Sequence, residues 1–118
     1  MIRNRWAPPL IWSLVILSLT SIPNLQVSAP KNSDKVVHFL VYAILGVLVA
    51  RARDVMPRHY ARLAAVIVGV SLFGAMDEWH QGFIPGRFPD VRDWMADTVG
   101  GIAGATAFTI RPRQRQTS

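Results

Sequence analysis

Cysteine is absent from the 118 residues. That excludes a disulfide framework, a thiolate metal site and a thiol nucleophile. No nucleophile elbow and no phosphate-cradling glycine loop occurs. Apolar–polar alternation is missing, and the apolar blocks exceed strand length, so an all-strand reading fails. Acidic residues are scarce: Asp and Glu together number 7, against 13 Lys and Arg. Net charge +6 and a pI near 11.1 invite a nucleic-acid reading. There is no aromatic interleaving to support it, so no nucleic-acid partner is expected.

What the chain does have is apolar blocks separated by arginine. Hydrophobic residues make up 51% and mean hydropathy is +0.26. The length suits one domain over residues 1–118. Four transmembrane helices are expected, at about 8–25, 35–51, 61–82 and 93–110. The fold class is therefore all-α, an integral membrane bundle. A soluble four-helix bundle is the alternative, but Ile11–Leu19 and Leu63–Phe73 have almost no polar stripe. Arg3 and Arg5, an apolar run and then Val27-Ser28-Ala29 also resemble a cleaved signal peptide, although Pro30 would block the cut. Retention of the first helix is the expectation.

Basic residues set the orientation. With four spans, Arg3, Arg5, Arg51, Arg53, Arg58, Arg62, Arg111, Arg113 and Arg115 share one side with a single acid, Asp54. Lys31, Lys35, Arg87 and Arg92 share the other with the six remaining acids. Both termini are thus expected in the cytoplasm, and the basic surface is expected to meet anionic lipid headgroups.

Those six acids are Asp34, Asp77, Glu78, Asp90, Asp93 and Asp97. Measured from the cytoplasmic arginines at about 1.5 Å per residue, His38, Asp77, Glu78 and Asp97 all fall roughly 20–24 Å up their helices. Charge at such depth costs about 2.5–3.5 kcal/mol per group, so a shared layer implies use. On the second helix Asp34, His38 and Tyr42 share a face, with Lys35 beside them. On the third, Gly74, Glu78 and Gln81 form a stripe next to Asp77. On the fourth, Asp93, Asp97, Gly100 and Gly104 align, and the two glycines permit close packing in lipid. Pro85-Gly86 signals a stiff turn that presents Arg87, whose guanidinium suits phosphate or carboxylate. Trp79 and Trp94 suit an interfacial belt.

Several chemistries stay open. His38 and Glu78 are the candidate catalytic pair, as acid and base. His38 is also a possible metal ligand with Asp77, Glu78 or Asp97, as is His80 with Asp77; packing accounts for these histidines too, and neither metal nor cofactor is expected. Asp77 and Glu78 are read either as an acid–base pair or as partners of Lys35 and Arg87. Arg87 is read as a phosphate ligand or as a salt bridge to Asp93 or Glu78. Ser71 and Thr98 have no evident context.

The set Asp34-Lys35-x-x-His38-Phe39-x-x-Tyr42, Asp77-Glu78-x-x-Gln81, Pro85-Gly86-Arg87 and Asp93-x-x-x-Asp97-x-x-Gly100-x-x-x-Gly104 resembles the VanZ-like family of small bacterial membrane proteins. The resemblance covers residues 34–104 and departs at Asp97, where family members often carry Asn. It implies a helical, multi-pass protein of the bacterial cytoplasmic membrane and, for the founding member, teicoplanin resistance. The leading expectation is a non-enzymatic protein whose outer-face pocket binds an anionic envelope lipid, cell-wall precursor or lipoglycopeptide. Lys35 and Arg87 would meet the head, with Asp93 and Asp97 bracing Arg87. His38, Tyr42, Asp77, Glu78 and Gln81 would shape the pocket. An intramembrane enzyme on a lipid-linked phosphate and a proton-coupled transporter are the alternatives. Membrane lipids are expected partners, and a homo-oligomer remains open.

Overall fold

The computed structural model describes residues 4–22 and 33–111. Four helices run in chain order: α1 (Ala7–Thr20), α2 (Ser33–Ala52), α3 (Tyr60–Gln81) and α4 (Val91–Thr109). The last three match the expected boundaries within two residues. The first helix ends at Thr20, short of the expected residue 25: Ser21 caps it and the chain turns at residues 21–22, while residues 23–25 and the Val27-Ser28-Ala29 stretch lie outside the described residues. So do Arg3, Lys31, Arg113 and Arg115.

Local chemistry sets the helix ends. Proline in the first turn of α1 lacks only an amide that has no intrahelical partner there. Asp90 caps α4 by accepting from the Arg92 amide at 2.9 Å. Ile84–Arg87 closes a β-turn through the Arg87 amide and Ile84 carbonyl, 3.1 Å. Gly86 takes the positive φ, 79°, that the third position of a Pro-Gly turn needs.

Two helices, at Asp34–Ala52 and Tyr60–Gln81, are long and apolar enough to cross a membrane, and α1 is a shorter apolar helix. Beside a buried apolar core that includes Ile16, Leu45, Val66 and Val70, the bundle buries acids and exposes many large apolar side chains. Asp77, Glu78, Gln81, Asp93 and Asp97 are buried, while Leu10, Ile11, Leu14, Val36, Val68 and Leu72 are exposed. An apolar exterior around a polar interior is the distribution that lipid favours.

The most extensive helix pair is α2 with α4. Glycine makes that approach possible. A Cβ on Gly100 would meet the Phe39 backbone, and one on Gly104 the Ala43 backbone. Across the seam, a Cβ on Gly46 would sit 2.5 Å from the Gly101 carbonyl oxygen. Gly100 and Gly104 thus lie against the α2 backbone, with Gly46 as the matching gap on α2.

This seam yields a prediction. Gly104→Ala must push α4 off α2, and overpacking of this kind costs about 1–3 kcal/mol. Gly69 has nothing within 4 Å of its would-be Cβ. Gly69→Ala should therefore be neutral or stabilising, by up to about 1 kcal/mol of helix propensity. Thermal unfolding in detergent should separate the two variants; equal midpoints would contradict the seam.

Candidate functional site

Residues from all four helices meet at one end of the bundle. From α2, Lys35, His38 and Tyr42 face inward, one helical turn apart. The Lys35 ammonium stands 2.7 Å from Asp93 Oδ1, 2.7 Å from Asp34 Oδ2 and 3.2 Å from Asp90 Oδ2. One turn deeper, His38 Nδ1 lies 2.6 Å from Asp97 Oδ1. With Asp97 ionised and the imidazole neutral, Nδ1 donates and Nε2 keeps its lone pair. That Nε2 stands 3.8 Å from Asp93 Oδ2, beyond hydrogen-bond reach. Deeper still, the Tyr42 hydroxyl donates to Asp77 Oδ2 at 3.2 Å.

On α3, Asp77 and Glu78 turn to different partners, as neighbouring helical positions must. Asp77 Oδ1 accepts from the Thr20 hydroxyl at 2.7 Å. Glu78 Oε2 accepts from the Asp90 amide at 3.0 Å, and Oε1 from Gln81 Nε2 at 3.3 Å. An Asp77–Glu78 acid–base pair is therefore not what the fold builds, nor does Lys35 or Arg87 pair with either. Asp97 and Asp77 are wholly buried, and Asp97 Oδ2 has no hydrogen-bond partner among the described residues. Gly74 makes room for it: a Cβ there would stand 3.2 Å from Asp97 Oδ2.

Arg87 contacts α1, a partner the sequence does not point to. Its Nε donates to the Ile22 carbonyl at 3.0 Å and its Nη2 to the Leu19 carbonyl at 2.8 Å. It caps the C-terminus of α1, where carbonyls lack intrahelical donors and a cation is favoured. Asp93 and Asp97 do not brace it; they face Lys35 and His38. Neither Asp93 nor Glu78 forms a salt bridge with it. Lys35 is the only Lys or Arg in ion contact with the six acids among the described residues.

Sequence reasoning missed the part played by α1. Thr20 reaches Asp77, and the Ser21 hydroxyl lies 2.9 Å from His80 Nε2. The available signal was their position as the polar end of an otherwise apolar helix. Ser71 and Thr98 find their context in each other, 2.9 Å apart across α3 and α4. Trp94 joins the same pair of helices by donating from Nε1 to the Ser71 carbonyl at 3.0 Å.

Beside the cluster, a groove of about 630 Å³ opens between the end of α3 and the start of α4. Trp79, Phe83, Val91 and Trp94 line its apolar length, and Glu78 and Asp90 stand at its polar part. Asp90 is an anion there: the Arg92 amide and then the Lys35 ammonium hold its carboxyl below the usual range.

The Arg87 cap can be checked. Arg87→Ala should release the last turn of α1 at a cost of about 1 kcal/mol, small because the contact is solvent-exposed. Hydrogen exchange of the segment around Leu17–Ile22 should rise while α4 stays protected. Unchanged exchange there would remove the assigned role.

A family model described as VanZ/LLP1 matches residues 4–111. No curated protein and no solved structure matches the chain. The match spans most of the sequence, and the chain belongs to the VanZ-like family.

Proposed function

From membership of the VanZ-like family and the geometry above, we propose a four-span protein of the bacterial cytoplasmic membrane with both termini inside. Its outer-face cluster and adjoining groove bind an envelope amphiphile with an anionic head. Candidates are an envelope lipid, a lipid-linked cell-wall precursor or a lipoglycopeptide. The observation that carries the reading is the continuity of the groove. An apolar, aromatic wall leads to Glu78 and Asp90, and Asp90 also contacts Lys35. An acyl or aryl chain would lie along Trp79, Phe83 and Trp94, and the head would reach the polar end. Since Arg87 donates to the α1 carbonyls, Lys35 is the cation we assign to the head.

A second reading rests on one contact. His38 oriented by Asp97, with Nε2 free, is the arrangement of a general base. Glu78 stands close by, so transfer or hydrolysis at a lipid-linked phosphate is the enzymatic alternative. Turnover of envelope lipids that is lost in His38→Ala would favour it.

Orientation is tested with single cysteines, for which the cysteine-free chain is a clean background. Phe88→Cys, at an 84% exposed position, should react with an impermeant maleimide in intact cells. Arg58→Cys should react only after permeabilisation, and the reverse pattern would invert the topology. Ligand binding is tested by native mass spectrometry of the detergent-purified protein. Retained acyl lipid should fall at least tenfold in a Trp79→Ala, Phe83→Ala double variant. Equal retention would sink the groove as its binding surface.

A further inference from the structure

The polar cluster gathers more acidic side chains than basic ones among the described residues. Asp77, Glu78, Asp93 and Asp97 are buried, and among the described residues Lys35 is the one Lys or Arg in ion contact with them, through Asp93. One ligand atom from each of His38, Glu78 and Asp93 lies within 4.8 Å of the others. We propose that these three side chains bind a divalent metal ion of the zinc class.

Four features of the geometry support the site beyond the collection of acids. First, His38 is prepared as a ligand. Its Nδ1–H is held by Asp97, which fixes the ring and leaves the Nε2 lone pair toward Asp93 and Glu78. A carboxylate behind a histidine is the common outer shell of a metal-bound imidazole. Second, Asp93 divides its oxygens. Lys35 stands 2.7 Å from Oδ1, while Oδ2 is turned to the other side, 3.8 Å from His38 Nε2, on a residue only 8% exposed. Third, the 3.8 Å between His38 Nε2 and Asp93 Oδ2 is too long for a hydrogen bond. It is near the separation of about 3.4 Å between two ligands at roughly 2.1 Å around a tetrahedral ion. Fourth, Glu78 is oriented by the Asp90 amide and by Gln81, and each carboxylate oxygen keeps a lone pair beyond those bonds.

The sequence offers Asp77, Glu78 or Asp97 as a possible metal partner of His38 and predicts no metal; in the fold it is Glu78 and Asp93 that stand with His38. Asp77 faces Thr20 and Tyr42, and Asp97 stands behind the imidazole rather than before it. Three protein ligands leave one position open, next to the polar end of the groove. A phosphate oxygen of the head could fill that position, which would give an anion a reason to enter an acidic site. This last step rests on the amphiphile reading; the ion site itself does not.

The test uses the full chain in detergent, stripped with chelator and titrated with Zn²⁺ by calorimetry. One ion per chain is expected. His38→Ala and Glu78→Gln should each weaken binding at least 100-fold. Asp97→Asn, which keeps the volume but loses the charged outer partner, should weaken it about 10–100-fold. His59→Ala, in the turn between α2 and α3, should leave it unchanged. Circular dichroism confirms that each variant is folded, and Co²⁺ loaded into the unaltered chain gives a second readout. Intense visible bands of a four-coordinate ion are expected. No Zn²⁺ uptake by the unaltered chain, or uptake that persists in His38→Ala, would overturn the site. Phosphatidylglycerol retention by the stripped and the Zn²⁺-loaded protein then tests the bridging step alone. Retention should rise with the ion, and equal retention would remove the bridge while the titration still decides the ion site.

Discussion

Four carboxylates buried in one small bundle must each be answered by another element, and that demand organises the structure. Asp77 is answered by α1 and α2 through Thr20 and Tyr42. Glu78 is answered by the start of α4 through the Asp90 amide. Asp93 and Asp97 are answered by α2 through Lys35 and His38. Each carboxylate thus ties its helix to another part of the bundle. In lipid the tails are as apolar as the helix surfaces, so burial of leucine supplies little force between helices. Packing and interhelical hydrogen bonds have to hold them instead. The polar cluster is therefore a clasp as well as a candidate site.

The glycine seam and the clasp lie on the same face of α4. Asp93, Asp97, Gly100 and Gly104 follow one another at successive turns. The glycines let α4 lie against the backbone of α2 at Phe39 and Ala43. That same close approach carries Asp97 to 2.6 Å from His38 Nδ1. A wider interhelical distance would leave two buried polar groups unmatched, at a cost of about 1–3 kcal/mol or more. Close packing below and charge pairing above are consequences of one interhelical spacing.

The proposed function draws on the cluster's composition: among the described residues one lysine meets several acids, and the polar end adjoins an aromatic groove. On that proposal a phosphate-bearing head and a metal ion would be complementary, the ion supplying the positive charge that an anionic head needs there. The guanidinium of Arg87 donates two hydrogen bonds to the carbonyls at the end of α1. Its position after a Pro-Gly turn was legible, but the turn aims it sideways at a neighbouring helix end.

The sequence by itself determined the helices, the apolar exterior, the shared depth of the polar residues and the glycine seam. Period and rise are local properties, so Lys35, His38 and Tyr42 had to share a face, and Asp93, Asp97, Gly100 and Gly104 had to align. Only the tertiary structure decided who meets whom. Asp77 and Glu78 part company because their neighbouring positions on α3 point in different directions. Asp93, which was expected to brace Arg87, stands instead between Lys35 and His38. Thr20 and Ser21 enter the cluster because α1 packs its polar end against α3. These pairings depend on helix rotation and interhelical distance, which no single helix's sequence encodes.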